Sequence, residues 1–193
     1  MGHIFHVMGK SASGKDTIYK MLLTDESLAL SGVVLYTTRP KREGEEDGRD
    51  YNFVTQEQMN ELDAAGKIIE KREYNTVHGI WTYATVDDGQ IDLLQGNYIV
   101  EGVLESYISL KKYYGDAVVP IYIEVEDGER LMRAISREKQ QKTPRYAEMC
   151  RRFLTDTQDF SEDKLLAAGI TVRYPNNDLD ECVASIKKDI LNK

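Results

Sequence analysis

The residues with the clearest chemical potential come first in the chain. Gly9-Lys10-Ser11-Ala12-Ser13-Gly14-Lys15-Asp16-Thr17 follows the apolar run Ile4-Phe5-His6-Val7-Met8 and precedes Ile18, Met21, Leu22 and Leu23, spaced along one helix face. A G-x-x-x-x-G-K string between a strand and a helix is a phosphate cradle. Gly9 and Gly14 let the backbone curl so that successive N–H groups point inward. The helix N-terminus adds partial positive charge and Lys15 a full one. Asp16 stands where a Ser or Thr hydroxyl normally reaches Mg2+, so ligation falls to Asp16 itself, to Thr17 or to water. A carboxylate can hold Mg2+, but it also sets negative charge beside the phosphates.

A second anion site is expected downstream. Arg39 and Arg42 lie on either side of Pro40 in a densely charged segment, where a guanidinium pair can grip one phosphate. Tyr51 closes that segment and offers a hydroxyl donor. The same composition also suits a solvated loop. Glu101 sits near the C-terminal end of the apolar strand 97–103, the sheet edge where ligands bind. It is positioned either to hold Mg2+ through water or to cap a helix or pair with an arginine. Arg137 and Arg152 fall on the two arms of a helix–polar loop–helix, and such arms bring arginines together on a transferring phosphoryl group only when they close. Arg130 and Arg145 are expected to be solvated.

The positioning elements alternate. Helices are predicted at 16–28, 55–66, 88–94, 106–114 (with Leu110 and Tyr113 inward), 127–138, 145–160 and 179–191. Strands are predicted at 33–38, 67–74, 80–86, 97–103, 117–125 and 170–174, with Ser31-Gly32 as a break and His78-Gly79 as a turn. This rhythm specifies an α/β fold with a parallel sheet. Residues 33–86 read as a small, mostly β insertion with a short helix.

The bulk properties narrow the partners. The 193 residues suffice for one well-buried core. With 25 basic against 33 acidic residues, net charge −8, the chain is expected to bind neither nucleic acid nor an anionic membrane. Cys150 and Cys182 form no C-x-x-C, so reduced thiols in the cytoplasm are expected. No signal peptide or membrane-spanning run is apparent. His3, His6 and His78 lack metal-ligand spacing.

The phosphate loop, together with Thr37-Thr38-Arg39-Pro40-Lys41-Arg42, Gly44-Glu45, Asp47-Gly48 and Asp50-Tyr51-Asn52-Phe53-Val54, strongly resembles the guanylate kinase family. Weaker similarity runs through Glu70, Tyr83-Ala84-Thr85, Glu101, the Arg137 and Arg152 region and Asn177-Asp178-Leu179-Asp180. The resemblance implies a P-loop kinase core (1–32, 87–136 and 153–193), a nucleoside monophosphate-binding subdomain (about 33–86) and a helical lid (about 137–152). It implies Mg2+-dependent transfer from ATP to GMP or dGMP by a monomer or homodimer. Arg39, Arg42 and Tyr51 would hold the acceptor phosphate. Glu70, Tyr83, Thr85 and Glu101 would line the GMP site, with Glu70 and Thr85 reading guanine. Lys15, Arg137 and Arg152 would stabilise the migrating group.

This chain departs from the family pattern at four positions: Lys10 for proline, Asp16 for the Mg2+ hydroxyl, Leu35 for a guanine-contacting serine and Val103 for a second guanine-reading aspartate, near which Glu105 lies. Two alternatives follow from these departures. One is a kinase for another or modified nucleoside monophosphate, and the other is a binding module that has lost ATP chemistry.

Overall fold

In a computed structural model that describes residues 1–76 and 79–193, Ile4–Met8 (β1) is buried at every position. A strand covered on both faces reads as a continuous apolar run. Ile4 and Met8 point into one hydrophobic cluster, and Phe5 and Val7 into another across the sheet. β1 pairs in parallel with Asn97–Gly102 (β7) on one side and Val118–Glu124 (β8) on the other. Leu30–Gly32 (β2) joins beyond β7 and Tyr174–Pro175 (β9) beyond β8, giving the parallel order β2-β7-β1-β8-β9. Lys15–Leu23 (α1) and Leu179–Leu191 (α7) cover the Phe5 face through Ile18, Leu22, Val183 and Ile186. Leu104–Tyr114 (α3) and Glu162–Ala167 (α6) cover the other through Tyr107, Leu110 and Leu165.

A second sheet is separate from the first. Tyr36–Thr37 (β3), Asn52–Phe53 (β4), Ile68–Thr76 (β5) and Gly79–Val86 (β6) lie in the order β4-β3-β6-β5. Gln56–Ala64 (α2) packs on one of its faces, Met59 meeting Ala84 and Val86. Thr55 caps α2, predicted at 55–66, in a capping box with Gln58. The chain then runs through Asp127–Lys139 (α4) and Tyr146–Asp159 (α5), joined by a polar loop.

Several elements differ from the sequence reading. α1 stops at Leu23, and Asp25 accepts from Ser27 N–H to start a separate 3-10 turn at Glu26–Leu28. The predicted strand 33–38 shrinks to Tyr36–Thr37 in the second sheet, and the predicted break Ser31-Gly32 pairs instead within β2 of the first. Between them Val33 packs into the core and Val34 N–H donates to the Gln90 side chain, because the chain is crossing from one sheet to the other.

The predicted helix at 88–94 is a set of turns. Asp88 and Asp92 accept from Gln90 N–H and Leu94 N–H, local bonds that compete with a helix. Tyr113 is exposed, and Tyr107 takes the inward place. The last strand is Tyr174–Pro175 rather than 170–174, and α6 has no counterpart in the sequence reading. His78 lies outside the described residues. Among them, no helix is long and apolar enough to cross a membrane.

His6 is the one ionisable residue of β1 and is fully buried. Its Nε2 lies 3.0 Å from Ser106 Oγ, and Nδ1 has no hydrogen-bond partner among the described residues. Burial, then the charge of Arg72, pushes its pKa from 6.5 down to about 3. Between those values the unfolded chain binds a proton that the folded chain refuses. The associated stability is complete above pH 6.5 and falls as pH drops, by up to about 1.4 kcal/mol per pH unit. Urea unfolding between pH 6.5 and 5 is expected to show this slope in the wild type and a flatter one in His6→Gln.

Candidate functional site

The glycine loop runs from the end of β1 to the start of α1, at the carboxyl edge of the parallel sheet. Gly14 caps α1 at φ 87° with no side-chain cap, so the first-turn amides stay open to an anion. A Cβ on Gly14 would sit 2.4 Å from Asn176 Nδ2, and that amide donates to Ser13 O at 2.8 Å. At Gly9 a Cβ would meet Ile123 O at 2.7 Å and Ser13 Oγ at 2.8 Å. Ala12 holds φ 64°, a left-handed conformation that costs a non-glycine residue about 1 kcal/mol.

Lys15 Nζ donates to Asp16 Oδ1 at 2.6 Å and to Glu101 Oε1 at 2.7 Å. Glu101 lies on β7 beside Val7 of β1, which places its carboxylate at the mouth of the loop. Burial lowers the Lys15 pKa, but Glu101 and Asp16 more than restore it, and the ammonium is held above its usual range. For Glu101, burial outweighs the attraction of Lys15, and the neighbouring Asp16 charge pushes the carboxyl up further. Asp16 goes the other way, since Lys15 overcomes the effect of burial and lowers it. Two carboxylates and an ammonium thus share one small space. Their hard oxygens suit a divalent cation that completes its shell with phosphate and water, and among the described residues no group of three or more His, Cys, Asp or Glu is built to hold a metal alone. Thr17, also expected near the metal, is exposed and forms no hydrogen bond to this cluster.

The segment expected to form a second anion site is organised by Glu45. Arg39 is buried and grips Glu45 with both terminal nitrogens, at 2.7 and 2.5 Å. Its guanidinium lies over the Tyr51 ring at 4.9 Å and the Phe53 ring at 5.4 Å. The Arg39 hydrogen bonds hold Glu45 down at about 2, while Glu45 raises Arg39. Arg42 N–H donates to Glu45 at 2.8 Å and its side chain is exposed. The Tyr51 ring meets Tyr83 edge-on at 5.8 Å. Burial raises the Tyr51 hydroxyl, with Tyr83 and Glu101 adding to the rise and Arg39 and Arg72 opposing it.

Glu70 and Thr85 come together as expected, Thr85 Oγ1 donating to Glu70 Oε1 at 3.0 Å. Leu35 packs against the core beneath α3, Val103 N-caps α3, and Glu105 is exposed. Arg137 is exposed, and Arg152 is exposed and donates to Glu148 at 2.9 Å. In this structure neither arginine is bound to the loop.

Arg130 overturns its solvated assignment. It is 1% exposed, bonds Asp127 Oδ1 at 3.0 and 3.1 Å and Ser11 O at 3.0 Å, and lies 3.5 Å from Asp156 Oδ2. The Phe153 ring lies 4.3 Å beneath it. Asp156 in turn accepts Ser11 N–H at 2.7 Å, and Lys10 Nζ donates to Asp127 at 3.2 Å. Helices α4 and α5 therefore both hold the glycine loop by the main chain of Ser11. The available sequence signal was the Asp127–Arg130 spacing of three along a helix, which announces a pair but not its target. Arg145 is exposed as expected.

A family model described as guanylate kinase matches residues 3–193. A guanylate kinase of Porphyromonas gingivalis is 29% identical over 193 residues, covering 98% of this chain and 97% of that one. Human guanylate kinase is 46% identical over 67 residues, 35% of this chain and 34% of its own. A crystal structure of guanylate kinase from Anaplasma phagocytophilum superposes with TM-score 0.61 at 22% identity, covering 99% of this chain and 85% of that chain.

Asp156→Ala leaves Arg130 buried with one carboxylate fewer and frees a loop amide. Breaking such a pair is expected to cost roughly 3 kcal/mol, read as a lower urea midpoint, and to raise the KM for ATP more than that for GMP.

Proposed function

The chain belongs to the guanylate kinase family, and on that premise we propose how its residues transfer the γ-phosphoryl group of ATP to GMP. The observation that carries the assignment is Lys15, fixed between Asp16 and Glu101 at the mouth of an amide-lined loop. Phosphoryl transfer asks little covalent chemistry of a protein. It asks for two anionic substrates in line, for water to be excluded and for charge to be neutralised. The loop from Gly9 to Asp16 receives the ATP phosphates, with Lys15 moving onto the transferred group. Asp16 and Glu101 would hold Mg2+, whose charge neutralises the phosphates on both sides of the transfer.

The acceptor phosphate is received by Arg39, Arg42 and Tyr51. Glu45 keeps Arg39 extended against the Tyr51 ring, so the guanidinium is oriented before the substrate arrives. Glu70, with Thr85 and Tyr83 alongside, takes the guanine edge, and Glu101 closes the site from the core. A carboxylate accepting guanine N–H groups rejects adenine, whose bare ring nitrogen leaves it unpaired. Arg137 and Arg152 act from the polar loop and its flanking helices, residues 137–152, which serve as the lid. Their exposure in this structure fits arms that swing inward with ATP, and residues 33–86 move as the acceptor-binding unit. The lid helices and Lys15 have no use in a mere binding module. With its two cysteines unpaired, the enzyme works in the cytoplasm on the free nucleotides.

A coupled assay of ADP release with GMP tests the assignment; no release above background with GMP would overturn it. Lys15→Ala is expected to lower kcat by about a hundredfold or more, as loss of a charge aimed at the transition state does. Arg42→Ala is expected to raise the KM for GMP while leaving that for ATP in place. Asp16→Ser is expected to raise the Mg2+ concentration needed for half-maximal rate, and an unchanged Mg2+ dependence would remove Asp16 from the metal.

A further inference from the structure

Arg72 has no part in the site described so far. It lies two residues beyond Glu70 on β5, so both side chains leave the same face. Register confirms the face: Glu70 is opposite Thr85 and Arg72 opposite Tyr83. Lys71 between them points the other way and reaches Asp63 of α2. The Glu70–Arg72 face is therefore the one turned from α2, where Tyr83 meets Tyr51. Arg72 donates from Nε to Glu70 Oε2 at 3.0 Å and from a terminal nitrogen to Oε1 at 3.2 Å. Its side chain is 10% exposed and that of Glu70 is 2% exposed. The charge of Arg72 is felt at both the Tyr51 hydroxyl and the His6 ring. Glu70 more than compensates the burial of Arg72, so the guanidinium stays charged.

A buried ion pair is seldom worth more to stability than apolar side chains of the same size. This one sits in the acceptor site, and its chemistry has a matching ligand edge. The pair displays an acceptor, the carboxylate, beside the planar guanidinium N–H donors that Glu70 does not take. Guanine displays the inverse, N–H donors at N1 and the 2-amino group beside the acceptor O6. Adenine carries an amino donor in place of O6 and a bare N1, so it meets donor with donor and acceptor with acceptor.

We propose that Arg72 is a specificity-determining residue of the acceptor site, donating to guanine O6 while Glu70 accepts from N1–H and the 2-amino group. The inference rests on the reading of Glu70 as the guanine-edge acceptor. Arg72 then has two tasks, holding the carboxylate planar to the base and reading the neighbouring carbonyl. Thr85 donates to Glu70 Oε1, the oxygen that also accepts from an Arg72 terminal nitrogen, and so helps to fix the carboxylate.

The test compares kcat/KM for GMP, 6-thio-GMP and IMP in the wild type, Arg72→Ala and Arg72→Lys. Sulfur at position 6 is a weak acceptor, whereas IMP keeps O6 and lacks the 2-amino group. The wild type is expected to prefer GMP over 6-thio-GMP by about tenfold or more. In Arg72→Ala, kcat/KM for GMP falls, the GMP to 6-thio-GMP ratio collapses toward one and the GMP to IMP ratio persists. Arg72→Lys, which preserves the charge and loses the fork, should fall between the two and covers the case in which the alanine variant does not fold. A GMP to 6-thio-GMP ratio that survives in both variants, with activity lowered, would overturn the proposal and reduce Arg72 to a prop for Glu70. A wild type that turns over GMP and 6-thio-GMP equally also overturns it, and leaves the kinase assignment standing. A wild type that does not phosphorylate GMP removes the acceptor reading itself, and this proposal with it.

Discussion

An ammonium held between two carboxylates sets the terms for the rest of the molecule. Lys15 belongs to the first turn of α1, Asp16 follows it, and Glu101 comes from the neighbouring strand β7. These three charges meet only because β1 and β7 run in parallel with Val7 beside Glu101. Without the covering helices that bury both sheet faces, neither strand would hold that register. Without substrate, the ammonium is already neutralised, so it costs little to keep a positive charge half-buried. An arriving phosphate must then compete with the carboxylates for it.

The same economy recurs at the acceptor site. Arg39 is satisfied by Glu45 and Arg72 by Glu70. In each case an internal carboxylate fixes a guanidinium that would otherwise lose rotamer freedom on meeting its ligand. The Arg130 pair does comparable work for the phosphate loop, through the main chain of Ser11 rather than through a ligand. The lid arginines are the exception. Arg137 is exposed and Arg152 rests on Glu148 of its own helix. The guanidiniums of Arg39, Arg72 and Arg130 are fixed by carboxylates and largely buried, whereas Arg137 and Arg152 are exposed.

What the sequence disclosed follows the range of the interactions involved. The glycine loop, the capping box of α2 and the limits of α7 are set by neighbours within a few residues, and all were readable. Glu101 was readable as well, because a carboxylate ending an apolar parallel strand has few other places to be. The helix predicted at 88–94 failed because Asp88 and Asp92 bond locally to main-chain amides. The split of residues 30–37 between two sheets carries no local mark. Arg130 was misjudged because its partners, Ser11 and Asp156, are remote in sequence, and a row of charges along a helix looks the same whether it faces water or a loop. Arg72 was overlooked although the period of two from Glu70 was available, since strand pairs of opposite charge are common on exposed faces as well.

Asn176 ties the end of the chain to its beginning. Its side chain supports Ser13 O across 163 residues, and its main-chain N–H is anchored to Glu124 O at the tip of β8. During synthesis, the glycine loop emerges well before its brace, which follows 163 residues later. A ribosome that stalls before residue 176 therefore displays the motif without its finished geometry, and a partial chain is poorly equipped to sequester ATP. The fold thus makes the finished geometry of the loop depend on a residue made long after it.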